Sequence, residues 1–405
     1  MNDQNDSCSP AGAPALACVA PSGEELSPAQ FFHVAAAIAI RDRVKQVIRC
    51  VRRLDPERSS GSVKPEQVHQ LRVAIRRAGA CLGAFEGCLD PGSAARLAKR
   101  LKKIRRAVGR ARQCDVNMSL LAHEREAGDG AAARALDDLS SALKHERRVA
   151  VRCLDRMLGV QTPARLRKSR DATLEGIRPV RDDRGAPVTL LEAARTALRH
   201  LADEVCDPVH ADWPDENSMH ELRLAGKRLR YSTEVFACCF DPSAVDEALH
   251  QLVSLQDRLG AANDLYEISE FISRFHARDR SAAPLVARGV TSVPSAGRAR
   301  GSGSTGADIA SILERFRARH ADARNDFMQW WGGGARERLF QAFDRLTRPT
   351  TNALADLAVP PTIHVQARPS RFPTPEQLLG GPLDLSHHAV PSAAAPISVV
   401  PNGSH

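Results

Sequence analysis

Aromatic residues are scarce in this chain: of 405 residues only 4% are Phe, Trp or Tyr, with two Tyr and three Trp among them. Single-strand nucleic-acid binders stack bases on aromatic side chains, so this scarcity counts against that class. No apolar run reaches the roughly 18 residues of a membrane-spanning helix. Alternating β-branched runs are missing too, while Leu, Ala and Arg recur at helical spacing, which predicts an all-α fold. The ten cysteines contain no Cys-x-x-Cys pair; Cys238 and Cys239 are adjacent and the others are scattered. Neither a disulfide framework nor a zinc site is expected from that spacing, and the thiols read as reduced, several of them packed as small hydrophobes. The N-terminus, Met1-Asn2-Asp3-Gln4, lacks the basic-then-apolar order of a secretory signal, so a cytoplasmic location is expected.

Positive charge is abundant. The formal net charge is +9 and the isoelectric point about 9.3, with a mean hydropathy of −0.31. Such a chain attracts anions at long range, and on charge alone polyphosphate, nucleic acid and acidic membrane all stay open.

Residues 1–27, rich in Ala, Pro, Ser and Gly, read as a disordered leader. Helical periodicity then covers residues 28–347, interrupted twice. A Pro/Gly hinge from Pro179 to Pro187 separates a first half (about 28–178) from a second (about 189–347). A Ser/Gly-rich stretch, about 279–308, reads as a flexible insertion. Residues 348–405 are Pro-rich and read as a disordered tail.

Internal similarity is the strongest signal. Val68-His69-Gln70-Leu71-Arg72-Val73-Ala74-Ile75-Arg76-Arg77 and Met219-His220-Glu221-Leu222-Arg223-Leu224-Ala225-Gly226-Lys227-Arg228 both fit H-x-L-R-x-A-x-[RK]-R, with His69 and His220 151 residues apart. Leu101, Ile104, Val108 and Gly109 match Leu252, Leu255, Leu259 and Gly260 at the same offset. A duplicated helical unit is implied, and it suits two helix bundles related by a pseudo-two-fold axis.

At about 100° per residue, Arg72, Arg76 and Arg77 lie between about −60° and +80° of His69, with Leu71, Ile75, Ala78 and Leu82 behind. His220, Arg223, Lys227 and Arg228 repeat the same angles. Pro65 and Pro214 lie just upstream and place each histidine near a helix N-terminus, where free N–H groups favour anions. The next helix of the first half is denser: Arg96 through Arg112 holds nine basic residues in seventeen and no acidic one. Arg96, Lys99, Arg100, Lys102, Lys103, Arg106 and Arg110 span an arc of about 160°. The second-half counterpart, Glu247 to Asn263, has Arg258 as its one full cation, so the binding surface should lean toward the first half. Like charges at these spacings mildly destabilise a bare helix, and an anion would offset that cost. Cations on each histidine's own face disfavour a metal ligand, and no carboxylate at helical spacing orients either ring as a catalytic base. A hydrogen-bond donor to phosphate fits best, with a structural histidine as the alternative.

At these residues the chain resembles the CHAD family, the conserved histidine α-helical domain, over about residues 28–347. Leu259-Gly260-Ala261-Ala262-Asn263-Asp264-Leu265 is similar to the family's L-G-x-x-N-D motif. Its first-half partner, Val108 to Asp115, departs from the pattern at Gln113, which puts in doubt any helix-to-helix ion pair from that position. The resemblance implies two four-helix bundles around a basic groove or pore that binds inorganic polyphosphate, on polyphosphate granules. Some members carry a triphosphate-processing CYTH domain; its strands and E-x-E-x-K motif are not found here, so hydrolysis is not expected.

The expected polyphosphate surface is His69, Arg72, Arg76 and Arg77 with His220, Arg223, Lys227 and Arg228, extended by Lys99, Arg100, Lys103, Arg106 and Arg110. Asn263 and Asp264 should brace helices, and Arg230 points off the face. No cofactor, metal, catalytic residue or membrane partner is expected. Granule-associated proteins, recruited through the tails, are the expected further partners. The rival reading is a nucleic-acid binder using the same cations.

Overall fold

The protein, described here by a computed structural model, is placed over residues 26–54, 63–127, 132–207, 216–287 and 305–349. Apart from residues 26–27 and 348–349, the expected leader and tail lie outside the described residues.

Ten α-helices follow one another among the described residues, and the fold is all-α as expected. They are α1 (Phe32–Arg53), α2 (Pro65–Ala84), α3 (Pro91–Ala127), α4 (Ala133–Val160), α5 (Pro163–Glu175), α6 (Leu190–Cys206), α7 (Glu216–Phe236), α8 (Pro242–Ala287), α9 (Thr305–Trp330) and α10 (Arg336–Thr347). The Ser/Gly-rich stretch is shorter than expected: α8 runs to Ala287 and α9 begins at Thr305, leaving 288–304 outside the described residues.

Helix starts follow from local chemistry. Asp90 and Asp241 each precede a proline, and each carboxylate accepts a hydrogen bond from a first-turn amide, Ser93 N at 2.8 Å and Ser243 N at 2.9 Å. Proline at the first helical position lacks only an N–H that would have been unpaired anyway. Hydrogen bonds hold both carboxyl groups below the usual carboxylate pKa, chiefly from the Ser93 amide at Asp90 and from the Ser243 hydroxyl at Asp241. α6 starts in a capping box, with Thr189 and Glu192 bonded to each other's backbone amides.

The 151-residue offset recurs in the backbone. α2 and α7 begin at Pro65 and Glu216, short 3₁₀ turns at Glu86 and Ala237, and α3 and α8 at Pro91 and Pro242, each pair 151 positions apart. α2 packs against α7, α3 against α4, and α8 against α9.

The main apolar core does not divide at the 179–187 hinge. It takes in α1, α2 and the first part of α3 together with α6, α7, the first part of α8 and α10. Phe85, just past α2, meets Phe236, the last residue of α7, edge-on with ring centroids 5.7 Å apart. A second cluster gathers the far end of α3 and the middle of α8 with the starts of α4 and α9, around Leu121, Leu139, Ile268, Ile312 and Phe316. There Glu124 of α3 accepts from Arg315 and Arg319 of α9 at 2.6 and 3.1 Å.

The hinge itself is held in place. Asp182 Oδ1 accepts from Arg184 N and Ala186 N at 3.0 and 2.7 Å, and Gly185 takes the left-handed φ of 81° that closes the turn. Phe32 N donates to Val188 O, and Leu190 N to Gln30 O, so the start of α1 and the start of α6 are tied together.

Candidate anion-binding site

The histidine-led helices α2 and α7 lie side by side. Their matched residues come near one another in chain order: Arg223 acts electrostatically on Arg72 and Phe85 touches Phe236, so the two helices run in the same direction. His69 and His220 are each the fifth residue of their helix. That places them one turn in, just past the four free N–H groups of the N-terminus. Pro214 lies outside the described residues. α2 begins at Pro65 itself, and Gln67 Oε1 accepts from Lys64 N at 3.0 Å to close its first turn.

Five cations from three helices crowd one desolvated volume: Arg72 and Arg76 of α2, Arg105 of α3, and Arg223 and Lys227 of α7. Burial, then repulsion from Arg76, Arg223 and Arg105, holds the Arg72 pKa well below the ordinary arginine value. Lys227, only 5% exposed, is driven well below the ordinary lysine value by burial and by Arg223, Arg76 and Arg72; Asp264 pulls the other way. Burial with repulsion from Arg76 and Arg106 brings Arg105 down to about 10. Arg223 is lowered by burial against the opposing pull of Asp264. Its Nε is buried without a hydrogen-bond partner among the described residues. A buried cation without a full complement of acceptors is costly, and an incoming anion would remove that cost.

Among the described residues, the carboxylates that act on these cations come from α8. Asp264 and Glu267 are both raised above the usual carboxylate range, first by burial, with Arg223 opposing in each case. Asp264 therefore acts as a partial counter-charge to Arg223 and Lys227. His69 is exposed on the surface of α2, and its pKa is lowered by partial desolvation and by Arg112. His220 is half-buried. Tyr231 of α7, 7% exposed, sits near both Arg72 and Arg223.

The other expected residues fall into two groups. Arg77 is turned across the helix pair to Glu234 of α7 at 2.9 Å, Arg228 is buried against Glu204 of α6, and Arg100 donates to Ser169 at 2.7 Å and Gln161 at 3.0 Å. These three serve as ties between helices. Lys99, Lys103 and Arg106 stand exposed on α3 and Arg110 is half-buried there. Arg230, left off the face, bonds Gln256 at 2.9 Å and lies 3.4 Å from Glu234. Gln113 stays on its own helix, donating to Asn117 at 3.0 Å, while Asp115 supplies the helix-to-helix ion pair, with Arg147 of α4 at 2.6 Å.

Arg105 and Arg112 were not expected at the site. They lie about 40° and 20° from Leu101, on the flank of the buried stripe and not on the wide polar arc. Their seven-residue spacing is the signal that could have found them. Arg112 acts on His69 and also on Asp264, so it bridges α2 and α8. Gly109 makes the close approach possible: a Cβ there would stand 3.0 Å from Arg72 Nη1.

Among the described residues, no group of three or more His, Cys, Asp or Glu side chains is placed to hold a metal ion, and no helix is long and apolar enough to cross a membrane. The eight cysteines among them form no disulfide.

A family model described as CHAD domain matches residues 43–273. The CHAD domain from the plant Ricinus communis is similar in fold, with a TM-score of 0.51 at 20% identity, over 73% of this chain and 93% of that one. PptA from Streptomyces chartreusis aligns with a TM-score of 0.46 at 19% identity, over 78% of this chain and 100% of that one. No curated protein matches the sequence.

Proposed function

The chain belongs to the CHAD domain family, and from that premise we propose that it binds inorganic polyphosphate without turning it over. The bound chain lies in a trough between α2 and α7, held by His69, Arg72, Arg76, Arg105, Arg112, His220, Arg223 and Lys227. The observation that carries this reading is the convergence of cations from both halves on one volume, Lys227 buried and Arg72, Arg105 and Arg223 half-buried, with too few carboxylates among the described residues to neutralise them. A linear polyanion supplies many charge-assisted hydrogen bonds at once, each worth roughly 1.5–3 kcal/mol where partly desolvated.

The two halves are read as copies of one ancestral unit, arranged as paired helix bundles about a pseudo-two-fold axis between α2 and α7. The common 151-residue spacing of helix starts, caps and the Phe85–Phe236 contact supports this. Polyphosphate granules in the cytoplasm are the proposed location, with granule proteins as further partners. Nucleic acid is the weaker reading, because Tyr231, the aromatic beside the cluster, is buried and offers no face for a base to stack on.

Calorimetric titration with long-chain polyphosphate across a salt series tests the proposal. About eight phosphate contacts predict a loss of roughly three decades of affinity between 50 and 200 mM salt, by the single-strand slope. Polyphosphate should displace single-stranded RNA readily and resist displacement by it. Salt-independent binding, or preference for RNA, would reject the reading. Release of phosphate on incubation with polyphosphate and Mg²⁺ would reject its non-catalytic part.

A further inference from the structure

From Pro91 to Cys114, α3 contains no carboxylate. Going round this helix from its buried side, Arg112 and Arg105 lie about 20° and 40° from Leu101, then Lys102 at about 100°, Arg106 at about 140°, Lys99 at about 160° and Lys103 at about 200°. The sweep is continuous: Arg106 acts on both Lys102 and Arg105, and Arg105 in turn feels Arg76 of the central cluster. Lys99, Lys103 and Arg106 are exposed, and none has a carboxylate partner among the described residues. Lys99 to Arg106 covers about 10 Å along the helix axis.

The matched surface of α8 differs at every one of these positions. Lys99, Lys102, Lys103, Arg105 and Arg106 correspond, at the 151-residue offset, to His250, Val253, Ser254, Gln256 and Asp257. Asp257 is exposed, and Gln256 is turned inward, donating to Gly226 O at 3.2 Å and accepting from Arg230 at 2.9 Å. Beyond them Asp264 and Glu267 stand between α8 and the cluster. A polyanion leaving toward α8 meets Asp257, Asp264 and Glu267, with Arg258 the one full cation of that stretch; one leaving toward α3 meets Lys102, Arg106, Lys99 and Lys103 on a stretch of helix that has no carboxylate.

The geometry points to a one-sided exit: a polyphosphate chain held between α2 and α7 leaves the trough over α3, along Lys102, Arg106, Lys99 and Lys103, and not over α8. This rests on the polyphosphate reading above and adds to it a direction and a dependence on chain length. A short oligophosphate fills the trough alone, whereas a longer chain gains the contacts of the ridge.

The test compares tripolyphosphate with long-chain polyphosphate, titrated across a salt series. The variants are Lys99→Gln/Lys103→Gln/Arg106→Gln, which strips the ridge, and Ser254→Lys/Asp257→Lys, which builds one on α8. Stripping the ridge should lower the long-to-short affinity ratio by roughly tenfold, the modest loss expected of three exposed contacts. The salt slope for the long chain should fall by about 2. Building a ridge on α8 should raise the ratio several-fold. An equal loss for both ligands would make the ridge part of the trough and overturn the exit. An unchanged ratio overturns it as well, and so does a variant that loses single-stranded RNA while keeping polyphosphate. If the unmodified protein binds neither phosphate ligand, the parent reading fails and not merely the exit.

Discussion

α2 and α7 are built on one motif yet occupy different surroundings. On α2 the histidine is exposed and Arg76 and Arg77 are half-buried, whereas on α7 Lys227 and Arg228 are buried and carboxylates of α6 and α8 stand close by. Composition sharpens the contrast. Residues 28–178 carry 32 Lys and Arg against 16 Asp and Glu, a net +16; residues 189–347 carry 20 against 23, a net −3. The apolar residues are shared more evenly, since both halves supply one core and Phe85 is mirrored by Phe236. The apolar packing around the two helices is thus alike while the charge around them differs. One half supplies most of the attraction, and the other supplies buried cations already partly answered by Asp264 and Glu267.

The largest expected effect probes the part of the comparison that is even. Phe85→Ala and Phe236→Ala should each destabilise the protein by about 3–5 kcal/mol, measured by urea unfolding. A difference of more than about 2 kcal/mol between them would break the equivalence of the two halves in the core.

Binding should be uneven instead. Arg72→Gln is expected to weaken polyphosphate binding by about 10- to 100-fold, the loss of a charge-assisted contact of roughly 1.5–3 kcal/mol. Arg223→Gln should cost less, because Asp264 and Glu267 already oppose that cation. Equal losses in calorimetric titrations would remove the electrostatic distinction between the halves.

Lys227 links binding to stability. Its folded pKa is well below the ordinary 10.5, so the unfolded chain takes up a proton that the folded state resists. Stability of the unliganded protein therefore rises with pH through that window and falls as pH drops toward the folded pKa. Lys227→Met should abolish this slope, raise the unliganded Tm by about 2–4 °C, and weaken polyphosphate binding roughly tenfold. Calorimetric melts at two pH values, with and without ligand, check both signs. A lower unliganded Tm would mean that the lysine packs more than it repels.

The smallest effect belongs to the exposed histidine. His69 has its pKa lowered from 6.5 in the unliganded protein, and a bound phosphate would raise it again. Binding should tighten by a few-fold as pH falls through about 6.5 and level off below the unliganded pKa. His69→Gln should flatten the profile; a profile unchanged by the substitution would leave His69 a structural role.

Much of the architecture was legible from periodicity. The helical class and the buried stripe Leu71, Ile75, Ala78 and Leu82 follow from apolar spacing on single helices. The site was legible only in part, because a helical wheel gives the direction of a side chain and not its neighbour. Arg77, Arg100 and Arg228 share the cationic arcs but are drawn off by Glu234, Ser169 with Gln161, and Glu204, partners far away in sequence. Arg105 and Arg112 were missed for the converse reason. They border an apolar stripe, and only the packing of α2 and α8 against α3 turns that border into the wall of the proposed trough.

Gly109 offers a lever that ordinary charge substitutions lack. Its missing side chain leaves the place where the Arg72 guanidinium lies, 3.0 Å from where a Cβ would be, whereas the matched Gly260 has nothing within 4 Å. A methyl group at 109 leaves the protein's net charge untouched and nudges its most crowded guanidinium out of register by a few tenths of an ångström. The same methyl at 260 moves nothing. A single pair of alanines can therefore separate how much cation the trough contains from where that cation is aimed.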